Sequence, residues 1–586
     1  MIGGDAAAES RIAGWLAALD SALSRPTIIP SLFHPDGHWR DVLAFTWDIE
    51  THTGRAAIDA ALRRALPTAQ PRNFRLAEGR TPPRVVRRAG VDCIEALIAF
   101  DTAAGPGVGV LRLVDDPADP TRKLAWTLLT ALDQLAGHPE RVGPHRPDDI
   151  AKSREFGGAN WLDRLEARRA YADRDPGVIV IGGGQAGLSA AARLHQLGVD
   201  TLIVDRHARI GDNWRQRYHS LTLHNEVHVN HLPYMPFPPT WPVFIPKDKL
   251  ANWFEAYVEG MELNYWTGTE LVGGTWDAAG GCWSVTLRRA DGSERVMRPR
   301  HLVFGTGVSA IPVTPDVPGL DSFAGTVMHS GSFTNGAAWK GRRTLVLGTG
   351  NSGHDVAQDL HASGAEVAMI QRSPTYIVSL AEAQKVYAIY TEGLPTDDCD
   401  VLATSFPYPV LKTSYQMSTA EMTANDRPLL DRLAARGFRM DQGEDGTGFQ
   451  MMYLRRGGGY YFNVGCSDLI AEGKIGLIQY ADIERFVPGG VAMKDGTVVA
   501  ADLVVTATGY KNQQDVARAL LGDAVADRIG PVWGIDEGGE LRNMWTRTAQ
   551  PGLWFTAGSL AQCRIYSKVL ALQIKACEVG VLPVKR

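Results

Sequence analysis

Cysteine is scarce and scattered in this chain of 586 residues: Cys93, Cys282, Cys399, Cys466, Cys563 and Cys577 are all there is, and no two are spaced as CxxC. That spacing argues against a dithiol redox centre and a zinc site, and it predicts reduced thiols in a cytoplasmic protein. No metal site is expected. Long apolar runs are missing too, so no membrane span is expected. Residues Met1 to Ser21 carry acids early and lack a basic region followed by an apolar core, so no signal peptide is expected. Excess basic charge is also absent. A net charge of -5 and an isoelectric point near 6.3 offer no field for nucleic acid or an anionic membrane. What remains is ordinary globular material, 45% hydrophobic and 21% charged, in a length that suits about three to five domains.

Two glycine-rich fingerprints stand out against that background: Gly182-Gly183-Gly184-Gln185-Ala186-Gly187 and Gly348-Thr349-Gly350-Asn351-Ser352-Gly353. Each follows an apolar strand (Val178 to Ile181, Leu345 to Leu347) and opens a helix-like stretch. The first glycine permits a tight turn and the second lets backbone approach a pyrophosphate. The third lets the helix, opened by Gln185 in one unit and by Asn351 and Ser352 in the other, pack close. Asp205 ends the next strand of the first unit and is placed to accept ribose hydroxyls. In the second unit the strand Glu366 to Ile370 ends in Gln371-Arg372-Ser373. There a guanidinium beside a hydroxyl can bind a 2′-phosphate that an aspartate would repel. The first site therefore suits a dinucleotide with a free ribose, the second a phosphorylated one.

The chain reads in parts. Residues 1–137 open with helical patterning (Ile12, Trp15, Leu16, Leu19, Leu23) and close on the strand-like runs Cys93 to Phe100, Val108 to Val114 and Leu124 to Leu132, an α+β module. Residues 138–175 form a linker with a short amphipathic helix, with Trp161, Leu162 and Leu165 on one face, that suggests a clamp between domains. From Pro176 an α/β pattern runs with two β meanders, Trp283 through Asp291-Gly292 to Phe304 and Ile483 through Asp495-Gly496 to Val505. Each feeds a small-residue exit, Gly305-Thr306-Gly307 and Ala507-Thr508-Gly509. The matching halves predict nested units, with residues 319–497 inserted between 176–318 and 498–586. Trp39, Phe33 and Phe45 read more readily as core than as a ligand cavity. Tyr460 to Asn463 reads as a lid or as a turn and strand.

Residues 176 to 580 resemble the flavin-containing monooxygenases. The resemblance rests on the fingerprint FxGxxxHxxx(Y/F), present as Phe323 to Phe333 with His329 at its centre, and on Gly211-Asp212-Asn213-Trp214-Arg215, Ser220 to His224 and Leu232 to Pro238. The N-terminal stretch Phe33 to Asp41 resembles the cone-shaped NTF2-like fold, an extension similar to that of type II members. The implied fold is α/β, two nested Rossmann-like dinucleotide-binding domains for FAD and NADPH, preceded by an α+β NTF2-like domain. The implied activity is NAD(P)H-driven insertion of one atom of O2 into a small organic substrate through a C4a-(hydro)peroxyflavin, with NADH accepted alongside NADPH. Sulfide or amine oxygenation and Baeyer-Villiger oxidation of a ketone both stay open, because Phe333 replaces the tryptophan of typical Baeyer-Villiger enzymes and residues 373 to 381 contain no arginine. The resemblance places His224 and Asn225 as the two flavin-facing candidates, with His329 positional. Asn213 and Trp214 on the FAD side, and Thr508 and Gly509 at the second exit, join the cofactor-binding set. An NTF2-like module allows a homodimer. The competing readings are a non-oxygenating NAD(P)H oxidase or flavin reductase, and a flavoprotein whose N-terminal domain serves mainly as an interaction module.

Overall fold

The computed structural model describes residues 5–148 and 156–582, so part of the expected linker, 149–155, lies outside the described residues. The N-terminal unit opens with the helix Ala6–Leu23, whose first amides are capped by the Asp5 carboxylate and whose Ile12, Trp15, Leu16 and Leu19 are buried. Its seven-stranded sheet runs Ile49–Thr53, Phe33–Val42, Asp119–Leu132, Pro106–Asp116, Val91–Asp101 and Arg72–Leu76, with Arg84–Arg88 also paired to Val91–Asp101. The three anticipated strands form its centre. The strand Phe33–Val42 and the helix Arg55–Ala69 escaped notice because Pro35, Gly37 and Pro67 interrupt their patterns. Phe33, Trp39 and Phe45 are core, and the Trp39 indole donates to Thr130 Oγ1 at 2.9 Å.

Two five-stranded parallel sheets follow. The first has the order Asn264–Trp266, Thr201–Val204, Val178–Ile181, His301–Phe304, Leu553–Phe555. The second has the order Thr326–His329, Leu503–Thr506, Arg343–Leu347, Glu366–Gln371, Gly476–Gln479. The whole second sheet lies in sequence between the fourth and fifth strands of the first, which is nesting.

Both meanders end earlier than the sequence suggested, and the first also begins earlier, with the strand Thr269–Asp277. Their return strands are Glu294–Met297 and Val498–Ala500, while His301–Phe304 and Leu503–Thr506 cross into the parallel sheets. Burial explains this: all four residues of each crossing strand are buried, as a strand covered on both faces requires, whereas the return strands have exposed positions. The return to the first unit consequently falls after residue 506, not at 498. The short helix Trp161–Ala170 also differs from expectation. Only Leu165 is buried, Trp161 and Leu162 are exposed, and the helix docks beside Asn264–Trp266 through Arg168 to the Glu262 carbonyl and Arg169 to the Leu263 carbonyl. It braces an edge strand and does not clamp domains.

A helical insertion, Leu380–Gln384, Thr396–Thr404, Tyr408–Asn425, Arg427–Ala435 and Gly448–Arg456, follows, and its helix Thr396–Thr404 packs on the strand Pro106–Asp116 of the N-terminal unit. Charge ties it to that unit. Arg80 and Thr81 bond Asp398, Arg88 pairs with Glu392 at 2.6 Å, and Arg112 lies 4.2 Å over the Phe406 ring. Tyr460–Asn463 is a strand paired in parallel with Tyr376–Ser379.

Candidate active site

The two glycine turns are built alike. Gly182 and Gly348 have φ of 101° and 119°, a region that favours glycine, and a Cβ on either would meet the exit of the neighbouring strand, Gly305 O at 2.7 Å or Ala507 O at 2.4 Å. A Cβ at Gly187 or Gly353 would lie 1.9 or 2.3 Å from the carbonyl oxygen of that same first glycine. Each helix then starts at a glycine N-cap, Gly184 or Gly350, with no side chain capping its first amides. Uncapped amides at a helix start leave donors for an anionic group. Gly350 is the most telling position. A Cβ there would come no closer than 3.8 Å to protein, at Tyr460 O, so nothing in the protein itself demands glycine.

Asp205 sits in the first turn. Its carboxylate accepts from the Gly183 amide at 2.7 Å and from the His207 amide and ring at 2.9 and 2.7 Å. Burial pushes this carboxyl up, but the His207 ring and those amides outweigh it and hold it below its ordinary value. The Trp214 indole donates to Gln185 Oε1, and Gln185 Nε2 donates to the Gly558 carbonyl, so the helix start, the Asp212–Arg215 turn and the C-terminal segment share one chain of bonds. Asn213 lies against Gly184.

One cavity of 1720 Å³ connects these features. Gly182, Gly184, Gln185, Asp205, Asn213 and Trp214 of the first unit, Asn351 and Ser352 of the second helix start, and His224 and Asn225 all line it. His224 is solvent-accessible and lines the cavity, its ring centroid 4.7 Å from that of Phe462; desolvation by the surrounding protein lowers its pKa to about 4, so the ring is neutral near neutral pH. The Asn225 side chain meets the Tyr387 hydroxyl. Asn230, overlooked in the sequence, also lines the cavity and donates to the Asn225 carbonyl at 2.8 Å.

Other predicted residues fall outside the cavity wall. Gly187, Gly348, Gly350 and Gly353 shape the turns behind it. His329 accepts from the Gly331 amide at 3.0 Å and has its other ring nitrogen 3.2 Å from the Gly509 carbonyl, so it ties two crossover segments. Thr508 donates to the Val313 carbonyl, and Gly509 O accepts from Val313 N, which makes this exit a latch on the 311–313 segment. Arg372 and Ser373 stand exposed at the end of Glu366–Gln371. Gln371 exchanges two bonds with the backbone of Arg439, whose guanidinium then reaches the Arg372 carbonyl at 2.6 Å. That second arginine comes from the helical insertion and had no signal in the sequence.

The cavity wall also holds the aromatic residues Tyr387, Tyr415, Phe449, Tyr453, Tyr460 and Phe462, and the N-terminal unit contributes Arg40, Ile49 and Arg88. Arg40 is buried and pairs with Glu540 at 2.7 Å. Asp355, one turn into the second helix, also lines it; burial pushes its carboxyl up to about 6 although the Tyr218 hydroxyl donates to it at 2.5 Å.

Residues 176–426 match the model of the flavin-binding monooxygenase-like family. In sequence the chain is similar to indole-3-pyruvate monooxygenase YUCCA1 of Oryza sativa subsp. japonica, 31% identical over 353 residues, which span 60% of this chain and 80% of the relative. In fold it is similar to epsilon-caprolactone-bound cyclohexanone monooxygenase (TM-score 0.51, 18% identity, 69% of this chain and 88% of that one). It is similar also to OTEMO in complex with FAD and NADP (TM-score 0.51, 16% identity, 70% and 87%).

Proposed function

This chain belongs to the flavin-containing monooxygenase family, and from that premise we propose that it consumes NAD(P)H and inserts one oxygen atom of O2 into a small organic substrate, with FAD held at the first glycine turn and the coenzyme at the second. The observation that carries this reading is the single cavity whose wall holds residues of both uncapped helix starts, His224, Asn225 and a group of aromatic side chains.

The residues fit both groups. The amides after Gly184 suit the pyrophosphate of FAD and Asp205 its ribose, while the amides after Gly350 and the Arg372 guanidinium suit a phosphorylated nicotinamide dinucleotide. FAD, when bound, supplies hydride acceptance and oxygen activation. The chain's own part is placement and exclusion of water. Phe449, Phe462 and Tyr460 wall the reacting region with apolar surface. His224, neutral and without a ring hydrogen bond among the described residues, can donate or accept at its free nitrogens. Asn225, fixed by Asn230 and Tyr387, presents an amide to the same place. Phe333 and the absence of arginine from residues 373 to 381 keep sulfide or amine oxygenation open beside attack on a ketone. The N-terminal unit, helices against a mostly antiparallel sheet, fits the NTF2-like reading and closes one side of the chamber.

The test is product analysis. FAD-loaded enzyme given NADPH and a sulfide, an amine or a ketone should yield oxygenated product, and His224→Ala or Asn225→Ala should raise the hydrogen peroxide released per NADPH. An enzyme that returns only hydrogen peroxide with every substrate is an oxidase, and the proposal fails.

A further inference from the structure

The strand Thr222–Glu226 carries His224 and Asn225, and its pairing breaks at those residues. Thr222 pairs with Pro246 and Glu226 with Phe244, so Leu223, His224 and Asn225 stand opposite Ile245 alone. A bulge of this kind re-aims side chains and leaves its own backbone groups without ladder partners, and bulges gather beside active sites. One side chain takes the place of the ladder. Gln384, the last residue of the helix Leu380–Gln384, donates from Nε2 to the His224 carbonyl at 2.8 Å and accepts at Oε1 from the Glu226 amide at 3.2 Å. Nε2 also reaches the Leu380 carbonyl of its own helix at 3.4 Å. A residue that bonds the carbonyl before and the amide after the one it faces pairs as a parallel strand does, so the carboxamide stands in for a peptide group beside Asn225. Asn230 completes the frame, its Nδ2 donating to the Asn225 carbonyl at 2.8 Å. Gln384 reaches in from the other unit. Its helix follows the strand Tyr376–Ser379, beyond Arg372 and Ser373, and is fastened there: Lys385 pairs with Glu382 at 2.7 Å, Asn425 donates to Glu382 at 2.9 Å, and the Ser379 amide donates to Asp426 at 2.6 Å. Gln384 is not in the cavity wall, so it meets the site only through this strand.

We infer that Gln384 is a positioning residue of the oxygenation: from the coenzyme-side unit it holds the His224–Asn225 bulge in place, so that both side chains keep their aim into the cavity. The inference rests on the monooxygenase reading of that cavity. Without the carboxamide the bulge keeps its two end pairs and the Asn230 bond, so the fold survives while the residues between gain freedom. Small displacements cost most in the step that depends on the displaced group. In this reading His224 and Asn225 decide how much oxygen reaches substrate and how much leaves as hydrogen peroxide. Loosening them therefore changes that partition and spares coenzyme binding at the second glycine turn.

The test is Gln384→Met in FAD-loaded enzyme, a side chain of similar length and volume without either bond. Hydrogen exchange, read by mass spectrometry on the peptide that covers residues 222–226, should become faster than in wild type by roughly two- to tenfold, the span of an ordinary hydrogen bond. With NADPH, O2 and thioanisole, the hydrogen peroxide released per NADPH should rise over the same range. NADP affinity in calorimetric titrations, and the rate at which NADPH reduces FAD without oxygen, should stay within about twofold of wild type. Gln384→Glu, whose carboxylate can accept from the Glu226 amide but cannot donate to the His224 carbonyl, makes the same comparison should Gln384→Met fail to fold. Unchanged exchange in residues 222–226 overturns the inference. So does faster exchange with the peroxide yield of wild type, or a peroxide yield that rises only in step with weaker NADP binding or slower FAD reduction. A wild type that returns only hydrogen peroxide with every substrate, yet shows the exchange effect, would refute the monooxygenase reading and uphold Gln384 as the residue that holds this strand.

Discussion

Gly350→Ala separates what the protein needs from what the coenzyme needs. Gly350 has φ of -82° and ψ of -172°, ordinary extended backbone, and an added Cβ would stop 3.8 Å from its nearest protein neighbour, so the substitution creates no clash. Gly→Ala where the backbone is already permissible stabilises by about 0.4–1 kcal/mol, because the unfolded chain loses freedom. Melting should therefore stay level or rise slightly, and FAD content should not change. Coenzyme binding should suffer. The methyl group occupies the approach to the uncapped amides of the helix Asn351–Ala362, and losing one hydrogen bond to a charged phosphate costs about 1.5–3 kcal/mol, or roughly 10- to 150-fold in Kd. Gly353→Ala is the contrast, since its Cβ would lie 2.3 Å from the Gly348 carbonyl oxygen and the turn itself must break. Calorimetric titration of NADP onto FAD-loaded enzyme, beside thermal melts, measures both quantities. Unchanged NADP affinity in Gly350→Ala, or a melting point lowered as far as that of Gly353→Ala, would refute the assignment of the second turn.

Arg372→Ala should weaken NADPH by about 1.5–3 kcal/mol, the range for a hydrogen bond to a charged group, and barely alter NADH; equal losses for both coenzymes in direct titrations would remove the 2′-phosphate role. Asp355 titrates at about 6 in the folded protein because it is buried, against about 3.9 in an unfolded chain. The folded state thus binds the proton more tightly, so this residue's contribution becomes less favourable as pH rises from about 4 to about 6 and stays at its worst above that. Asp355→Asn should accordingly be more stable than wild type at pH 7 to 8, by on the order of 2–3 kcal/mol, with the gap closing toward pH 4. A pH-independent difference in denaturant midpoints would show that burial of the charge is not the cause.

Much of the architecture was determined by sequence alone, and for a local reason. A strand, a glycine turn and a helix are contiguous, so Gly182, Gly187, Gly348 and Gly353 announce their packing through spacing, and Asp205 and Arg372 through their place at the next strand's end. The nesting was legible because both exits repeat the same small residues. Whether a strand such as His301–Phe304 or Leu503–Thr506 completes its meander or crosses into a parallel sheet was not, since pairing is settled by which face finds cover, a property of distant segments. Only the tertiary structure showed that His329 ties crossover segments, that Gln371 draws Arg439 beside Arg372, and that Tyr415 and Tyr387 share a wall with His224. Those residues belong to helices and strands tens to hundreds of positions apart, carry no periodic signal of their own, and acquire chemical meaning only when burial removes the water that would otherwise satisfy them.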